Sequence, residues 1–267
     1  MGALRTGSHN ILHGMRVLGG AHEPDDSALW DSVAALDVDV LGLQEVDHGQ
    51  PRSGMAEQTA VAAGALGAEH WSFVPTLVGT PGPGGRFRAS TAAEITAARS
   101  GPPAQPLYGV GLISRVPVRE WRHLVMPATR IRLPLLVPGD PRPRLLRVPD
   151  EPRGAIAAVL DLPTPVTVAT VHLSFVPLVN VRQLRRVKAW LADLPRPLIL
   201  LGDFNLPGRL PGRVTGWHEA PLGPTYPVFS PRIRFDHILS DGIRAASTQV
   251  HPLPVSDHCA VTASFWL

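Results

Sequence analysis

The stretch that decides the fold is Pro197-Leu198-Ile199-Leu200-Leu201-Gly202-Asp203-Phe204-Asn205. An apolar run that ends in an acid predicts a buried strand with a polar side chain at its carboxyl end. Upstream, after Asn180, apolar residues recur at helical spacing and predict an amphipathic helix: Leu184, Val187, Leu191 and Leu194. Residues 166–172 predict another strand before that helix. A strand, a helix and a strand in this order are typical of an α/β fold.

The same order occurs near the N-terminus. Residues 4–12 predict a strand, a helix follows the capping cluster at 24–27, and residues 38–43 predict a strand that ends in Gln44-Glu45. Another helix is predicted at 56–66, and the remaining predicted strands lie near residues 71–74, 108–114, 155–162, 234–239 and 258–265. Because strands dominate and helices recur between them, we expect packed sheets covered by helices.

We expect residues 1–267 to form a single catalytic domain, because no stretch has the character of a linker between independent domains. Two stretches rich in glycine and proline, residues 80–106 and 127–152, break the periodicity. They predict loop insertions on the surface of that domain.

The composition limits the kind of site. The chain is 44% apolar and 18% charged, and its net charge of +3 suits an anionic substrate without the dense basic stripe of an obligate DNA-binding protein. Cys259 is the single cysteine, which excludes an internal disulfide framework and a cysteine-based zinc site. With no signal peptide or transmembrane segment evident, we expect a cytoplasmic protein.

Polar side chains stand at or just beyond the ends of the apolar strands: Asn10, Glu45, His172, Asp203 with Asn205, Asp236, and Asp257 with His258. Ligands bind outside the carboxyl ends of strands in α/β sheets, so these side chains can converge on one pocket. Each also has a purely structural explanation, Asn10 as a core amide, Glu45 as a solvated strand end and Asp203 as a turn cap. Their joint order favours a shared site.

Seven segments, in this order, resemble the endonuclease/exonuclease/phosphatase family. They are Asn10-Ile11-Leu12-His13-Gly14, Leu43-Gln44-Glu45-Val46-Asp47, Tyr108-Gly109-Val110-Gly111-Leu112-Ile113-Ser114-Arg115, His172-Leu173-Ser174, Gly202-Asp203-Phe204-Asn205, Phe235-Asp236-His237 and Ser256-Asp257-His258. The resemblance implies a four-layer α/β sandwich, in which two mixed β-sheets pack face to face with helices on the outside.

The resemblance also implies a metal site. Glu45 is implied as the principal ligand of Mg²⁺ (or Mn²⁺), with Asn10 beside it and Asp257 available to the same ion or a second one. Phosphodiester hydrolysis accumulates negative charge on the phosphoryl oxygens, and an ion held by oxygen ligands neutralises that charge.

The catalytic roles implied by the resemblance fall on five residues. His258 and Asp236 are implied as a His–Asp pair, in which the carboxylate fixes the tautomer and favours the imidazolium. Asp203 would orient or deprotonate the attacking water, and Asn205 would hold a phosphoryl oxygen. His172 would hydrogen-bond the phosphate or assist the leaving group.

Some positions depart from the family pattern. Leu12 stands where abasic-site endonucleases of the family place a second polar residue, which argues against a role in DNA repair. His9 replaces an aromatic residue and is interpreted as a core histidine, and Cys259 as a buried strand residue.

The basic residues of 182–188 are interpreted as a solvated helix face. The arginines considered for gripping a substrate anion are Arg115, Arg153 and Arg232.

We therefore expect a metal-dependent phosphodiesterase that attacks a lipid-like or small phosphodiester with an activated water. The alternatives are a Mg²⁺-dependent nuclease, a phosphomonoesterase and a non-catalytic binding scaffold; the presence of Glu45, Asp203 and His258 disfavours the last.

The lipid preference rests on two stretches of sequence. In the 127–152 insertion, apolar residues that include the run Leu135-Leu136-Val137 are interleaved with arginines, and residues 175–179 form a second apolar segment. Together they would make a rim in peripheral contact with a membrane. No obligate protein partner is evident.

Overall fold

The computed structural model of the chain describes residues 2–19, 23–81, 86–98, 103–137 and 144–267, and the side chains of 135–137 and 144–146 lie outside the described part. The helices in these ranges are α1 (Asp26–Ala34), α2 (Gln58–Leu66), α3 (Ala92–Ala97), α4 (Val179–Trp190) and α5 (Leu210–Thr215). Within the same ranges, no helix has the length and apolar character needed to span a bilayer.

Most of the described strands, numbered in chain order, form two sheets. The first has seven, in the spatial order β14 (Ser247–His251), β15 (Ala260–Trp266), β1 (Ala3–Asn10), β2 (Val40–His48), β5 (Leu107–Ser114), β3 (His70–Gly79) and β4 (Phe87–Ala89). The second has six, in the order β12 (His218–Glu219), β13 (Asp236–Asp241), β11 (Leu198–Asp203), β10 (Val166–His172), β9 (Arg153–Leu160) and β6 (Val118–Met126). A separate hairpin pairs β7 (Arg132–Val137) with β8 (Arg144–Pro149).

Three apolar clusters hold the layers together. The two sheets pack face to face through buried residues that include Leu4, Val40, Leu112, Ile156 and Ile199. Helices α1 and α2 cover the outer face of the first sheet, and α4 covers the outer face of the second. Strands β5, β9 and β11 are buried along their whole length, because both of their faces are covered. The fold is thus a four-layer α/β sandwich, as the resemblance implied.

Strand directions decide which chain segments meet. Strands β1 and β2 are parallel, as are β10 and β11, whereas β13 runs antiparallel to β11 and β15 antiparallel to β1. The carboxyl ends of the four parallel strands and the amino ends of β13 and β15 therefore lie at the same edge of the sandwich.

The stretch 127–152, predicted as a loop, contains the β7–β8 hairpin. Its base is fixed by Asp150, whose carboxylate accepts hydrogen bonds from the Thr129 backbone N–H at 2.8 Å and from the Ser174 hydroxyl at 2.6 Å. These two strands were not predicted from the sequence, because prolines and arginines interrupt the alternation of apolar and polar residues.

Other elements were also missed. The stretch 80–106 holds β4 and α3, and α3 begins with a capping box between Thr91 and Glu94. The sheet-edge strands β6 and β14 have partly exposed residues along most of their length, so neither forms the apolar run by which the central strands were recognised.

His9 is fully buried in the core, as the sequence predicted. Burial, opposed by the charge of Asp236, lowers its pKa from 6.5 to about 4. The unfolded chain then binds a proton below pH 6.5 that the folded chain accepts only below about pH 4. The free energy of unfolding should therefore fall as the pH drops through this window, by up to about 3 kcal/mol from this residue.

Denaturant titrations of wild type and His9→Gln between pH 7 and pH 5 measure this effect. We expect the slope of unfolding free energy against pH to be shallower in the variant. Equal slopes for the two proteins would contradict the assignment, and the subtraction removes other buried histidines from the comparison.

Candidate active site

The Asp203 carboxylate lies at the centre of a polar cluster at the edge where the strand ends meet. Its Oδ2 accepts a hydrogen bond from Asn10 Nδ2 at 3.1 Å, and its Oδ1 accepts one from the Asn205 backbone N–H at 2.9 Å. The same Oδ2 lies 3.6 Å from Nε2 of His172 and 3.9 Å from Nε2 of His258. Since Asn10 ends a strand of the first sheet and Asp203 one of the second, this cluster joins the two sheets.

Local backbone geometry explains the glycine before this acid. Gly202 has φ of 146°, and a Cβ built there would lie 2.0 Å from the carbonyl oxygen of Val171. No other residue type fits that approach, which brings Asp203 beside His172 on the neighbouring strand.

His258 and Asp236 form a buried pair. Nδ1 of His258 lies 2.9 Å from Oδ2 of Asp236, and the Thr225 hydroxyl accepts the Asp236 backbone N–H at 3.3 Å. Burial alone would lower the pKa of His258, but the charges of Asp236 and Asp203 outweigh it and raise that pKa to about 10. The imidazolium is then the form present at neutral pH, and its Nε2–H forms no hydrogen bond within the described part of the chain, with Nε2 3.9 Å from Oδ2 of Asp203.

The Asp203 carboxyl holds its proton more strongly than an ordinary aspartate. Burial and the charge of Asp236 raise the pKa of Asp203 to about 6, while His258 opposes the rise. A carboxylate with a pKa near the working pH can accept a proton and release it again, which suits a general base.

Glu45 is presented by a β-bulge in β2. The pairing with β5 shifts between Leu43 and Val46, and Glu45 has a φ of 57°. Its carboxylate accepts a hydrogen bond from Asn10 at 3.0 Å. Burial and the negative charge of Asp257 raise the pKa of Glu45 to about 7. Two carboxylates that repel each other in this way form a site that favours the binding of a cation.

His172 has a different environment from His258. Nη1 of the buried Arg153 lies 3.1 Å from its Nε2 and 3.2 Å from its Nδ1. Burial and then the charge of Arg153 lower the pKa of His172 well below its usual value. A neutral imidazole beside a guanidinium can bind an anion but cannot store a proton at neutral pH.

A pocket of about 670 Å³ opens onto this cluster. Its polar wall includes Glu45, Asn205, Asp257 and His258. The rest of the lining is mainly apolar and comes from Phe175, Pro177, Leu178, Val181, Leu206, Pro207, Leu210, Tyr226 and Phe235. The pocket thus has room for a small anionic group near His258 and Asn205 and for an apolar group beside it.

Backbone strain is concentrated at this edge. Of the eight non-glycine residues with positive φ in the described ranges, six belong to segments that form or flank the cluster: Leu12, His13, Glu45, Leu178, Asn205 and Ser256. Such conformations cost free energy and persist where the surroundings hold them, typically at functional sites.

The eight site residues named from the sequence all lie at this edge, where Asp257 lines the pocket together with Glu45. Arg153 lies there too, whereas Arg115 forms an ion pair with Asp37 at 2.8 Å near the opposite end of β2.

Sequence reasoning missed Thr225 and Asn180. The Asn180 amide donates to the carbonyl of Asn205 at 2.9 Å. Neither residue lies in a recognisable motif, so no sequence signal could have identified them.

Two groups of residues could hold a metal ion. Asp203, Asp236 and His258 offer ligand atoms that lie within 4.8 Å of one another. His258 is a poor ligand there, because its Nδ1 bonds Asp236 and an imidazolium has no free lone pair. The second group is the carboxylates of Glu45 and Asp257, whose oxygens suit a hard cation better. Asn10 lies beside them, with its amide nitrogen toward Glu45 and its oxygen bonded to the Leu12 backbone N–H at 3.1 Å.

Comparison with known proteins identifies solved structures of the same fold. No curated protein matches the chain in sequence. A mannosyl-6-phosphatase of Bacteroides thetaiotaomicron has a TM-score of 0.66 and 15% identity, covering 99% of this chain and 100% of that chain. Sphingomyelinase C of Streptomyces griseocarneus has a TM-score of 0.59 and 16% identity, covering 99% of each. TDP2 of D. rerio, complexed with a single-strand DNA product, has a TM-score of 0.59 and 17% identity, covering 100% of each.

At these identities the solved structures show the fold alone. The model of the Endonuclease/Exonuclease/phosphatase family matches residues 7–258, a range that includes every clustered side chain described above. The chain therefore belongs to the endonuclease/exonuclease/phosphatase family.

Proposed function

We propose that this protein is a divalent-metal-dependent phosphodiesterase that hydrolyses its substrate by in-line attack of an activated water. Members of the family are phosphoester hydrolases. The observation that carries the proposal is the Asp203 carboxylate, held between a neutral His172 and a charged His258 beside the pocket. That arrangement supplies a base and a cation at the same point.

In this mechanism Asp203 orients the attacking water and accepts its proton. Its hydrogen bonds from Asn10 and the Asn205 backbone hold the carboxylate in one orientation. The His258 imidazolium donates a hydrogen bond to a phosphoryl oxygen, where charge grows in the transition state, and Asp236 keeps it charged. His172 and the amide of Asn205 bind the remaining phosphoryl oxygens.

We assign the metal to Glu45, Asn10 and Asp257. The donor set consists of oxygens, and Glu45 forms no ion pair with a basic side chain among the described residues, so its charge is free to meet a cation. Mg²⁺ or Mn²⁺ held there would neutralise charge on the phosphate.

Binding of this ion should be measurable without turnover. We expect Mg²⁺ to raise the melting temperature of wild type by about 5 °C or more at saturation, because it relieves the repulsion between Glu45 and Asp257. The Glu45→Gln variant should lose this shift, yet melt no lower than wild type in chelator, since the substitution removes a buried charge.

Differential scanning fluorimetry with and without Mg²⁺ makes the measurement, and the exposed Glu69→Gln serves as the matched control. The control should keep the full shift. A Mg²⁺ shift that survives in Glu45→Gln would move the ion to another site, with the Asp203, Asp236 and His258 group next to be tested.

For the substrate we propose a lipid-like or small phosphodiester. The side chains of Leu135, Leu136 and Val137, on which the sequence argument for a greasy rim partly rested, lie outside the described residues. The apolar wall of the pocket now supports the proposal instead, because it adjoins the polar wall at the scale of one small ligand.

A panel of substrates tests the proposed activity. With Mg²⁺ present, hydrolysis of bis(p-nitrophenyl) phosphate should exceed that of p-nitrophenyl phosphate, and excess chelator should abolish both. The same panel includes choline phospholipids, RNA, and single- and double-stranded DNA. Activity confined to nucleic acid would favour the nuclease alternative, and full activity in chelator would contradict the mechanism.

A further inference from the structure

Three chain segments surround the apolar side of the pocket: residues 173–190, 204–218 and 221–235. The Asn180 amide donates to the Asn205 carbonyl at 2.9 Å, which ties the first segment to the second. In the third, the Val228 backbone N–H donates to the carbonyl of Asp257 at 2.7 Å. These contacts fix the segments beside the site, and each segment contributes side chains to the pocket lining, among them Leu178, Leu210 and Tyr226. Their outer side chains are the rim of the pocket.

This rim exposes large apolar side chains to water. Leu178 and Phe229 are each 71% exposed, Ile233 is 41% exposed and Leu210 is 37% exposed. Leu178 and Leu210 line the pocket, and Phe229 lies in the turn closed by the bridge between Tyr226 and Ile233. Large apolar side chains that are exposed beside a pocket mark an interaction site. We call these four residues the apolar rim.

The backbone conformation of Leu178 also indicates an interaction site. Its φ is 67°, a conformation that asparagine or glycine adopts at lower cost than leucine, and its side chain caps no helix N–H. A strained and exposed leucine gains nothing from folding. Its side chain becomes useful when an apolar partner covers it.

The three segments are basic, although the pocket that they surround also contains Glu45 and Asp257, and Arg234 is ion-paired with Glu219 at 2.8 Å. The three segments contain eight of the 25 basic residues and none of the 22 acidic residues, which leaves 17 basic against 22 acidic in the rest of the chain. Exposed arginines stand next to the rim residues: Arg209 precedes Leu210, Arg232 precedes Ile233, and Arg182 lies one helical turn after Leu178. Apolar tips interleaved with arginines fit an anionic membrane surface, which accepts both.

We propose that the apolar rim docks the protein on an anionic lipid surface, with the pocket facing the headgroups. In this orientation the rim enters the boundary between headgroups and acyl chains, and the neighbouring arginines contact lipid phosphates. The substrate of the site is then a phosphodiester headgroup at the membrane surface. That last statement rests on the proposed function, whereas the docking does not.

Nucleic acid fits these observations less well. A strand bound beside the site would pair the arginines with its phosphates, but it would leave Leu178, Leu210 and Ile233 facing sugars and water. Recognition of single strands uses planar side chains on which bases stack. The pocket lining contains Phe175, Tyr226 and Phe235, but three of the four exposed rim residues are aliphatic.

Vesicle binding tests the docking in the presence of chelator, so that no hydrolysis occurs. The probes are vesicles of phosphatidylcholine, with and without phosphatidylserine, sedimented with the full chain. We expect Leu178→Ser/Phe229→Ser to bind the mixed vesicles at least about tenfold more weakly than wild type. Trp266→Ser is the matched control, because Trp266 is 66% exposed at the far end of the strand that follows His258. It should bind like wild type.

A second variant, Arg182→Gln/Arg232→Gln, should lose most of the preference for vesicles with phosphatidylserine, by about tenfold. Melting temperatures establish that the variants are folded. Equal vesicle binding by wild type and the rim variant would overturn the docking, as would wild type that ignores vesicles and binds single-stranded DNA at physiological salt. Hydrolysis of a soluble diester is scored separately: its failure counts against the proposed function and leaves the docking result standing.

Discussion

Replacement of Asp203 by asparagine should lower kcat on a soluble phosphodiester by about three to four orders of magnitude, because the amide cannot accept the proton of the attacking water. The shape of the side chain is nearly unchanged. Burial raises the pKa of Asp203, so the ionised carboxylate costs the folded state free energy at neutral pH. We therefore expect the melting temperature to stay close to that of wild type.

The hydrogen bonds of Asp203 decide how closely the melting temperature of the variant matches that of wild type. Asp203 accepts hydrogen bonds on both oxygens, from Asn10 and from the Asn205 backbone, and an asparagine can accept only one of them. This loss offsets part of the gain from removing a buried charge. Steady-state kinetics and thermal unfolding, with the exposed Asp31→Asn as control, make the comparison. A variant that keeps kcat within tenfold of wild type would show that Asp203 is not the base.

The second large effect is expected at His258. His258→Gln removes the cation that, in the proposed mechanism, faces the phosphoryl oxygens, and kcat should fall by about two to four orders of magnitude. The variant should also lose stability, by about 3 kcal/mol or more, because Asp236 is left as a buried carboxylate without its partner.

The double variant His258→Gln/Asp236→Asn separates these two effects. Neutralising the second residue removes the unpaired charge, so the melting temperature should recover while kcat stays low. The exposed His218→Gln controls for loss of an imidazole. Recovery of both quantities in the double variant would mean that the pair serves stability and has no part in catalysis.

Much of the site could be predicted because each residue sits at a point that the chain marks locally. Asp203 and His172 follow apolar runs, and the order of the short motifs is preserved along the chain. The residues that escaped prediction act through contacts across the fold. Thr225 fixes the backbone of Asp236 and Asn180 holds the backbone of Asn205, and nothing in their own neighbourhoods indicates these partners.

The sequence by itself determined the α/β class, the central strands and the identity of the polar residues at their ends, because hydrophobic periodicity and turn chemistry are local properties of the chain. Only the tertiary structure decided how those residues work together. His258, which precedes β15 of the first sheet, is kept charged by Asp236 at the start of β13 in the second sheet. His172 is kept neutral by burial and by the charge of Arg153, which lies on the neighbouring strand β9. The apolar rim joins three segments that are separated along the chain. Electrostatics and burial act through space, so residues distant in sequence set the chemistry of this site.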